Sequence, residues 1–101
     1  MTEQLFVYGT LKEPSVQFLV FGRVTSGKLD TLTGYRKASI RLGGRVFPII
    51  KPEAGTSVEG MVITVSPTEL KKIDRYEGQA YRRQKVTLSS GQEVWVYQAW
   101  N

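Results

Sequence analysis

The sequence predicts an α+β domain in which a small, mostly antiparallel, curled sheet or barrel is flanked by one or two helices. Three observations support this prediction. Many short β-prone runs are separated by glycine-containing turns, only one segment carries a full set of helix-start signals, and 101 residues with 41% hydrophobic content suit a single core. We therefore expect residues 1–101 to form one domain, with a helix plugging or covering one opening of the sheet.

The chain begins with a predicted strand and a short helix. Leu5 to Tyr8 is a β-prone run that stops at Gly9, which predicts a buried strand followed by a tight turn. Residues 16–21 follow a proline and a serine and precede Gly22. This arrangement predicts a short helix, because proline suits a first helical turn and glycine suits a helix end.

The middle of the chain predicts bent strands and a hairpin. Polar and apolar residues roughly alternate from Val24 to Ile40, and two glycines interrupt the pattern, as in bulged strands on a half-buried sheet. Gly43-Gly44 predicts a hairpin turn. The run from Arg45 to Phe47 leads into Pro48, which is expected to confine it to a sheet edge or a strand end.

The second half predicts a strand, a helix and a final hairpin. Val58 to Val65 alternates as a strand, and the following Ser66 and Glu69 form a capping box with a proline at the first helical position. The helix is expected to place Leu70, Ile73 and Tyr76 on one face and to end at Gly78. The last strands are predicted near Arg82 to Leu88 and Glu93 to Trp100, joined by a turn at residues 89–92.

Composition narrows the possible chemistry. The chain has no Cys and no His, which removes disulfides, thiolate nucleophiles, imidazole bases and the usual zinc ligand sets, so no metal site is expected. Proton transfer near neutral pH must then fall to a carboxylate, a Lys, a Tyr or water.

Charge and hydropathy indicate which partners and which cellular location to expect. The net charge of +5 is scattered rather than concentrated, which favours a solvated basic surface over a nucleic-acid partner. The N-terminus passes directly into a short apolar run without a signal-like pattern, and no apolar run approaches membrane-spanning length. We expect a cytoplasmic protein that binds neither nucleic acid nor membrane and is a monomer or weak homodimer.

The turn at Tyr8-Gly9-Thr10-Leu11 is the first candidate site. Glycine lets the main chain turn sharply after the first strand and present successive N–H groups to a ligand, which suits anions and oxyanions. The alternative is an ordinary strand-to-loop turn. The four residues alone do not separate these interpretations.

An acidic residue near the predicted helix end is the second candidate. Glu77 precedes Gly78 at a helix C-terminus, where the macrodipole disfavours negative charge. Proteins tend to break such local rules at functional sites, although a solvent-facing Glu at a helix end is common. Glu77 is therefore a candidate catalytic residue, with a solvated surface residue as the alternative.

The segment after that turn supplies the third candidate. Strand alternation sends Tyr81 and Arg83 to one face and Arg82 to the other. Arg83 is suited to hold a carboxylate or to orient Glu77, and the alternative is a surface arginine on a basic protein. The two tryptophans, Trp95 and Trp100, are interpreted as core or rim packing rather than a stacking platform.

Five fragments occur in the order and spacing typical of one family. They are Leu5 to Lys12, Val46 to Pro48, Val58 to Gly60, Leu70 to Gly78, and Tyr81 with Arg83. Each is nonspecific, but together they resemble the gamma-glutamylcyclotransferase-like (AIG2-like) family over nearly the whole chain.

The resemblance implies a small β-barrel flanked by helices and a pocket whose acid/base residue is Glu77. Enzymes of this family release 5-oxoproline and a free amine from gamma-glutamyl compounds without a cofactor, so the expected partner is a small gamma-glutamyl substrate. The implied substrate-binding residues are Tyr8, Gly9, Thr10, Leu11, Phe47, Pro48, Tyr81 and Arg83.

The sequence also departs from the family pattern. Many relatives have Tyr-Pro where this chain has Phe47-Pro48, so a hydroxyl that contacts substrate is missing. The chain ends at Asn101, whereas longer members carry a C-terminal segment that covers the pocket. We expect a more open site that favours bulky leaving amines, as in gamma-glutamylamines.

Two other classes of function are considered. The first is a non-catalytic small-molecule binding module on the same fold. The second, which the sequence favours less, is a basic β-barrel that binds single-stranded nucleic acid through Phe47, Trp95 and Tyr97.

Overall fold

The computed structural model describes residues 1–99, except for the side chain of Leu42. These residues form five strands, two α-helices and one short 3-10 turn. In chain order they are β1 (Glu3–Val7), the 3-10 turn (Thr10–Lys12), α1 (Pro14–Phe21), β2 (Lys28–Leu42), β3 (Arg45–Val65), α2 (Pro67–Glu77), β4 (Tyr81–Thr87) and β5 (Glu93–Ala99). The predicted last residue of β5, Trp100, lies outside the described residues.

The five strands form one curled sheet in the order β2-β3-β1-β5-β4. β3 pairs antiparallel with β2 and β1, and β4 pairs antiparallel with β5. The remaining pair, β1 with β5, is parallel, so the sheet is mixed but mostly antiparallel. The predicted α+β class, with a curled and mostly antiparallel sheet and two flanking helices, is confirmed.

Strands β2 and β3 form one long hairpin. Gly43 and Gly44 occupy its turn with φ of 56° and 80°, a conformation that glycine adopts readily, so the predicted turn is confirmed. Instead of several short strands, residues 28–42 form one strand with a bulge between Thr33 and Tyr35, where Gly34 has φ of 83°.

The prediction that Pro48 lies at a sheet edge or a strand end is confirmed through the first alternative. Pro48 pairs with Ser39 of β2 on one side. Strand β1 pairs only with residues 61–65 of β3, so within residues 1–99 the part of β3 around Pro48 lies at a sheet edge. It is not a strand end, because β3 continues without interruption to Val65. Proline has no main-chain N–H to donate, and it is tolerated at this position because the unpaired edge of β3 needs no hydrogen bond from it.

The helices begin and end close to the predicted residues. Helix α1 starts at Pro14, two residues before the prediction, and ends at Gly22 with φ of 82°. Helix α2 has the predicted capping box, in which the Ser66 hydroxyl accepts from the Glu69 N–H and the Glu69 carboxylate accepts from the Ser66 N–H. No helix in the described part of the chain is long and apolar enough to cross a membrane.

The buried face of α2 differs from the prediction at one residue. Leu70 and Ile73 are buried as expected, but Tyr76 is 47% exposed. At about 100° per residue, position 76 is rotated away from position 70, whereas position 77 returns to within about 20° of it. The helical period therefore places Glu77, rather than Tyr76, on the face that packs against the sheet.

The core lies on both faces of the sheet because side chains alternate along each strand. On one face, Leu5, Val7, Ile63 and Val65 pack against helix residues that include Phe21, Leu70 and Ile73. On the other face, the buried residues are Phe6, Tyr8, Leu32, Ile50, Val58, Val62, Leu88, Val94 and Val96. Strand β1 contributes to both, which fixes the position of the loop that follows it.

Gly60 allows β3 to pass very close to the end of β1. A Cβ at this position would lie 2.5 Å from the Val7 carbonyl oxygen and 2.7 Å from Cζ of Phe6. Any side chain would therefore push away the strand that carries the Tyr8 to Leu11 turn.

Candidate active site

The described residues enclose a cavity of about 420 Å³ between the sheet, the end of α2 and the hairpin. This volume falls within the range of about 300–1,000 Å³ that is usual for small-molecule sites. Its lining residues come from the turn after β1, the start of β3, the end of α2, and strands β4 and β5. They are Phe6, Val7, Tyr8, Gly9, Thr10, Leu11, Arg45, Val46, Phe47, Pro48, Tyr76, Glu77, Tyr81 and Tyr97.

The turn from Tyr8 to Leu11 is fixed at both ends. The Tyr8 hydroxyl donates to the Tyr97 carbonyl at 2.7 Å, and burial raises the pKa of Tyr8, with smaller contributions from Tyr81 and Glu77. The first N–H groups of the 3-10 turn that begins at Thr10 have no partner within that turn. Gly9, Thr10 and Leu11 of this turn line the cavity.

A buried amide holds the other end of the turn. Gln17 of α1 is 1% exposed, and its Nε2 donates to the Leu11 carbonyl at 2.9 Å. Its Oε1 accepts from the Thr25 N–H at 2.9 Å. The Gln17 side chain thus satisfies two main-chain groups and ties the turn to the segment that leads into β2.

Glu77 is the last residue of α2 and faces the cavity. Burial, with a smaller contribution from the nearby negative charge of Asp74, raises the pKa of its carboxyl from 4.5 to about 7. A carboxyl with this pKa can accept a proton and return it near neutral pH. The side chain is therefore suited to act as an acid and a base in one reaction.

Asp74 is the centre of an ionic cluster beside the cavity. Its Oδ1 accepts from the Tyr97 hydroxyl at 2.5 Å and from Arg83 Nε at 2.6 Å, and its Oδ2 accepts from Arg83 Nη2 at 3.1 Å. The contact with Arg83 is bidentate, which fixes the relative orientation of the two side chains. Burial and the hydrogen bond to Asp74 raise the pKa of Tyr97, so its hydroxyl keeps its proton.

The hairpin forms the opposite wall. The Tyr81 hydroxyl donates to the Pro48 carbonyl at 2.6 Å, and the rings of Phe47 and Tyr81 meet edge to face with centroids 6.5 Å apart. Burial raises the pKa of Tyr81 to about 12, with smaller contributions from Glu77 and Tyr76. Across the rim, Thr10 Oγ1 and the Tyr76 hydroxyl share a 2.8 Å hydrogen bond.

The structure brings most of the predicted site residues together. Glu77 lines the same cavity as Tyr8, Gly9, Thr10, Leu11, Phe47, Pro48 and Tyr81. Arg83 is not among the lining residues, because its guanidinium binds Asp74 and lies 4.5 Å from the Trp95 ring centroid. The carboxylate that Arg83 contacts in the structure is that of Asp74, and the substrate-binding role implied for Arg83 stays a prediction.

Sequence reasoning missed several residues of this site. Tyr97 and Arg45 both line the cavity, yet neither belongs to the fragments that marked the site. Asp74 lay inside a marked fragment without a role. The signal that could have found it is the helical period, because Asp74 and Glu77 are three residues apart and fall on the buried side of α2 with Leu70 and Ile73.

The fold and the cavity define a class of small α+β proteins in which a helix end places a carboxylate in a pocket of a curled sheet, beside a main-chain turn. The family model described as gamma-glutamyl cyclotransferase, AIG2-like, matches residues 5–101. The chain belongs to this family.

Relatives of known sequence support the family assignment. AIG2-like protein C of Arabidopsis thaliana is 39% identical over 85 residues, which is 83% of this chain and 48% of that protein. Protein AIG2 C of the same plant is 35% identical over 88 residues, 86% of this chain and 52% of that protein. The chain therefore spans about half the length of the curated relatives that it matches.

Solved structures have the same fold. A solution structure of an Arabidopsis thaliana protein has a TM-score of 0.83 and 30% identity, over 98% of this chain and 62% of that chain. A structure described as gamma-glutamyl cyclotransferase has a TM-score of 0.80 and 18% identity, over 100% of this chain and 68% of that chain. At that identity, the second comparison shows the fold alone.

Proposed function

We propose that this chain is a cofactor-free cyclotransferase that releases 5-oxoproline and a free amine from gamma-glutamyl compounds, with gamma-glutamylamines as preferred substrates. The observation that carries the proposal is Glu77, a carboxyl with a pKa of about 7 that faces a small-molecule cavity beside a main-chain turn. Family membership and the shared fold support a cyclotransferase-like role.

The proposed reaction needs little covalent chemistry from the protein. The α-amino nitrogen of the glutamyl group attacks its own γ-carbonyl carbon and forms the C–N bond of a five-membered ring, and the C–N bond to the leaving amine then breaks. Intramolecular attack from a held conformation has effective molarities of roughly 10⁵ M or more. Positioning of the glutamyl group therefore supplies much of the rate acceleration.

Glu77 carries out the proton transfers in the proposed reaction. Its carboxylate takes one proton from the α-ammonium group, which frees the nitrogen lone pair for attack. After attack, the protonated carboxyl gives this proton to the departing nitrogen, and the carboxylate then takes the second proton from the ring nitrogen and passes it to the free amine, which leaves as an ammonium ion. A pKa near 7 suits both transfers, because the group neither holds nor releases its proton too strongly.

The turn after β1 binds the anionic parts of the substrate. Main-chain N–H groups of Gly9, Thr10 and Leu11 bind the substrate α-carboxylate or stabilise the oxyanion that develops on the γ-carbon. Tyr8 and Tyr81 line the pocket beside them, with their hydroxyls committed to the Tyr97 and Pro48 carbonyls. These tyrosines thus shape the pocket rather than supply protons.

The direct test is to incubate the protein with gamma-glutamylamines and gamma-glutamyl dipeptides and to measure 5-oxoproline by mass spectrometry. We expect release by the wild type, with kcat at least about 100-fold lower for Glu77→Gln, which keeps the shape and removes the base. Glu59→Gln is the matched control, since Glu59 is an exposed carboxylate on β3 that does not line the cavity.

Two outcomes would contradict the proposal in different ways. Wild-type turnover in purified Glu77→Gln would show that another group is the base. Binding of the same compounds without release of 5-oxoproline by the wild type would identify the chain as a binding module on a cyclotransferase fold.

A further inference from the structure

Two charged side chains line the cavity among the described residues, and they differ in position. Glu77 lies at the end of α2, and Arg45 lies at the start of β3, directly after the hairpin turn. Arg45 is exposed, so it stands at the outer rim of the cavity. The proposed reaction gives a role to Glu77 and none to Arg45.

The position of Arg45 along β3 determines which part of a substrate it meets. The turn after β1 approaches β3 at Pro48, because a Cβ on Gly9 would lie 3.7 Å from Pro48 Cγ. Arg45 is three residues further toward the hairpin turn. At about 3.3 Å per strand residue, its main chain lies about 10 Å beyond that contact.

The Arg45 guanidinium is held in place without being neutralised. Its central carbon lies 5.7 Å from the Phe47 ring centroid, and Phe47 in turn packs against Tyr81. A ring contact engages the face of the guanidinium and leaves its N–H groups available. By contrast, Arg36 pairs with Glu53 and Arg83 pairs with Asp74, and no ion pair of Arg45 occurs among residues 1–99.

We propose that Arg45 recognises a carboxylate on the leaving-amine portion of the substrate. This inference rests on the proposed function. The glutamyl group must place its α-amino nitrogen near Glu77 and its anionic end at the turn after β1. The other side of the scissile bond then extends along β3 toward the rim, where Arg45 offers a planar pair of donors.

The inference gives Arg45 a specificity role that differs from that of Glu77. The favoured compounds are gamma-glutamyl derivatives of amines that also carry a carboxylate, and their neutral counterparts bind less well. A charge-assisted contact at an exposed rim changes relative kcat/KM by up to about 5-fold. Arg45 therefore selects among substrates, whereas Glu77 is required for all of them.

Matched substrate pairs test this inference. Each pair joins the gamma-glutamyl group to an ω-amino acid or to the carboxamide of the same ω-amino acid, with shorter and longer chains. The wild type is expected to prefer the carboxylate in the pair of suitable length. Arg45→Gln should reduce this preference by up to about 5-fold, and Arg45→Glu should reverse it in favour of a gamma-glutamyl diamine.

Arg41→Gln is the matched control, because Arg41 lies on the facing strand of the same hairpin and does not line the cavity. Its carboxylate preference should equal that of the wild type. A preference that is the same in wild type and Arg45→Gln would overturn the inference while leaving the cyclotransferase proposal intact. So would an equal reduction in Arg41→Gln, since that result indicates general charge attraction.

Binding measurements separate this inference from the reaction. Dissociation constants for the same pairs are measured calorimetrically with Glu77→Gln and with the double variant Glu77→Gln/Arg45→Gln. A carboxylate preference that disappears in the double variant supports the role of Arg45 even when no compound is turned over. Equal affinity for both members of every pair in the Glu77→Gln protein overturns it.

Discussion

Asp74 and Glu77 lie three residues apart on the buried side of helix α2, and the negative charge of Asp74 raises the pKa of Glu77. Asp74 is itself bound by Arg83 and by the Tyr97 hydroxyl. Arg83, which the sequence associated with substrate, therefore contacts Asp74, and Asp74 in turn affects the pKa of Glu77.

This relationship predicts opposite pH effects for two substitutions. A base with a pKa of about 7 makes kcat/KM rise as pH passes through that value. Asp74→Asn removes a negative charge and should move the rise to lower pH. Arg83→Gln leaves the Asp74 charge uncompensated and should move it to higher pH.

The pH profile of kcat/KM for 5-oxoproline release measures both effects. Asp30→Asn is a control, since that carboxylate accepts hydrogen bonds from Ser90 and Thr31 on another part of the sheet. If both substitutions lower activity by the same factor at every pH, the cluster has only a structural role.

Glu77 should also make the stability of the fold depend on pH. Its folded pKa of about 7 exceeds the ordinary value of 4.5, so the folded state retains a proton that the unfolded state releases. The contribution of Glu77 to the free energy of unfolding is therefore largest below about pH 4.5, and it is lost as the pH rises to about 7. The loss amounts to about 3 kcal/mol.

Glu77→Gln should remove most of this dependence. Its free energy of unfolding, measured by denaturant titration at pH 5 and pH 8, should change less than that of the wild type, and Glu59→Gln should behave as the wild type. An identical pH dependence in wild type and Glu77→Gln would mean that the carboxyl is solvated in the folded state.

Gly60→Ala should destabilise the fold through the close approach of β3 to β1. The added Cβ meets a main-chain oxygen at 2.5 Å, which cannot be relieved by rotating a side chain. We expect a loss of about 2–3 kcal/mol, which lowers Tm by about 10–20 °C in a domain of this size. Glu59→Ala, at the exposed neighbouring position, should stay within about 0.5 kcal/mol of the wild type. A Tm for Gly60→Ala equal to that of the wild type would disprove the steric argument.

Gln17→Leu should damage both stability and substrate binding. The substitution keeps the side-chain volume but leaves the Leu11 carbonyl and the Thr25 N–H without their partner. We expect a loss of about 2–3 kcal/mol and an increase in KM, because the turn that carries Leu11 loosens. Thermal melts and steady-state kinetics check the two effects. Leu19→Gln on the exposed side of α1 is the control; equal behaviour of the two variants would show that Gln17 has no special role.

Local signals predicted the elements with most success. The capping box at Ser66 and Glu69, the hairpin turn at Gly43 and Gly44, and the glycine end of α1 all depend on interactions within a few residues, and the structure contains each of them. The position of Tyr76 was mispredicted although its helix was correct. The prediction took every third residue, 70, 73 and 76, as one face, whereas an α-helix has 3.6 residues per turn.

Features that depend on long-range contacts could not be predicted in this way. The parallel pair of β1 and β5, the contact of Arg83 with Asp74, and the position of Arg45 at the cavity rim follow from how distant strands assemble. Glu77 was identified as a candidate because it breaks a local expectation at a helix end, and the turn after β1 because glycine can expose main-chain N–H groups there. The structure places both at one cavity. Their roles in catalysis remain predictions.

The parallel pairing of β1 with β5 has a consequence for how the site is made during synthesis. Leu5 pairs with Trp95, and the Tyr8 hydroxyl reaches the Tyr97 carbonyl, so β1 and β5, which lie about 90 residues apart in the sequence, share one wall of the cavity. Contacts of such large sequence separation form late and slowly. A nascent chain that still holds β5 in the ribosomal tunnel has no complete cavity, and a ligand can stabilise the cavity only after β5 has left the tunnel.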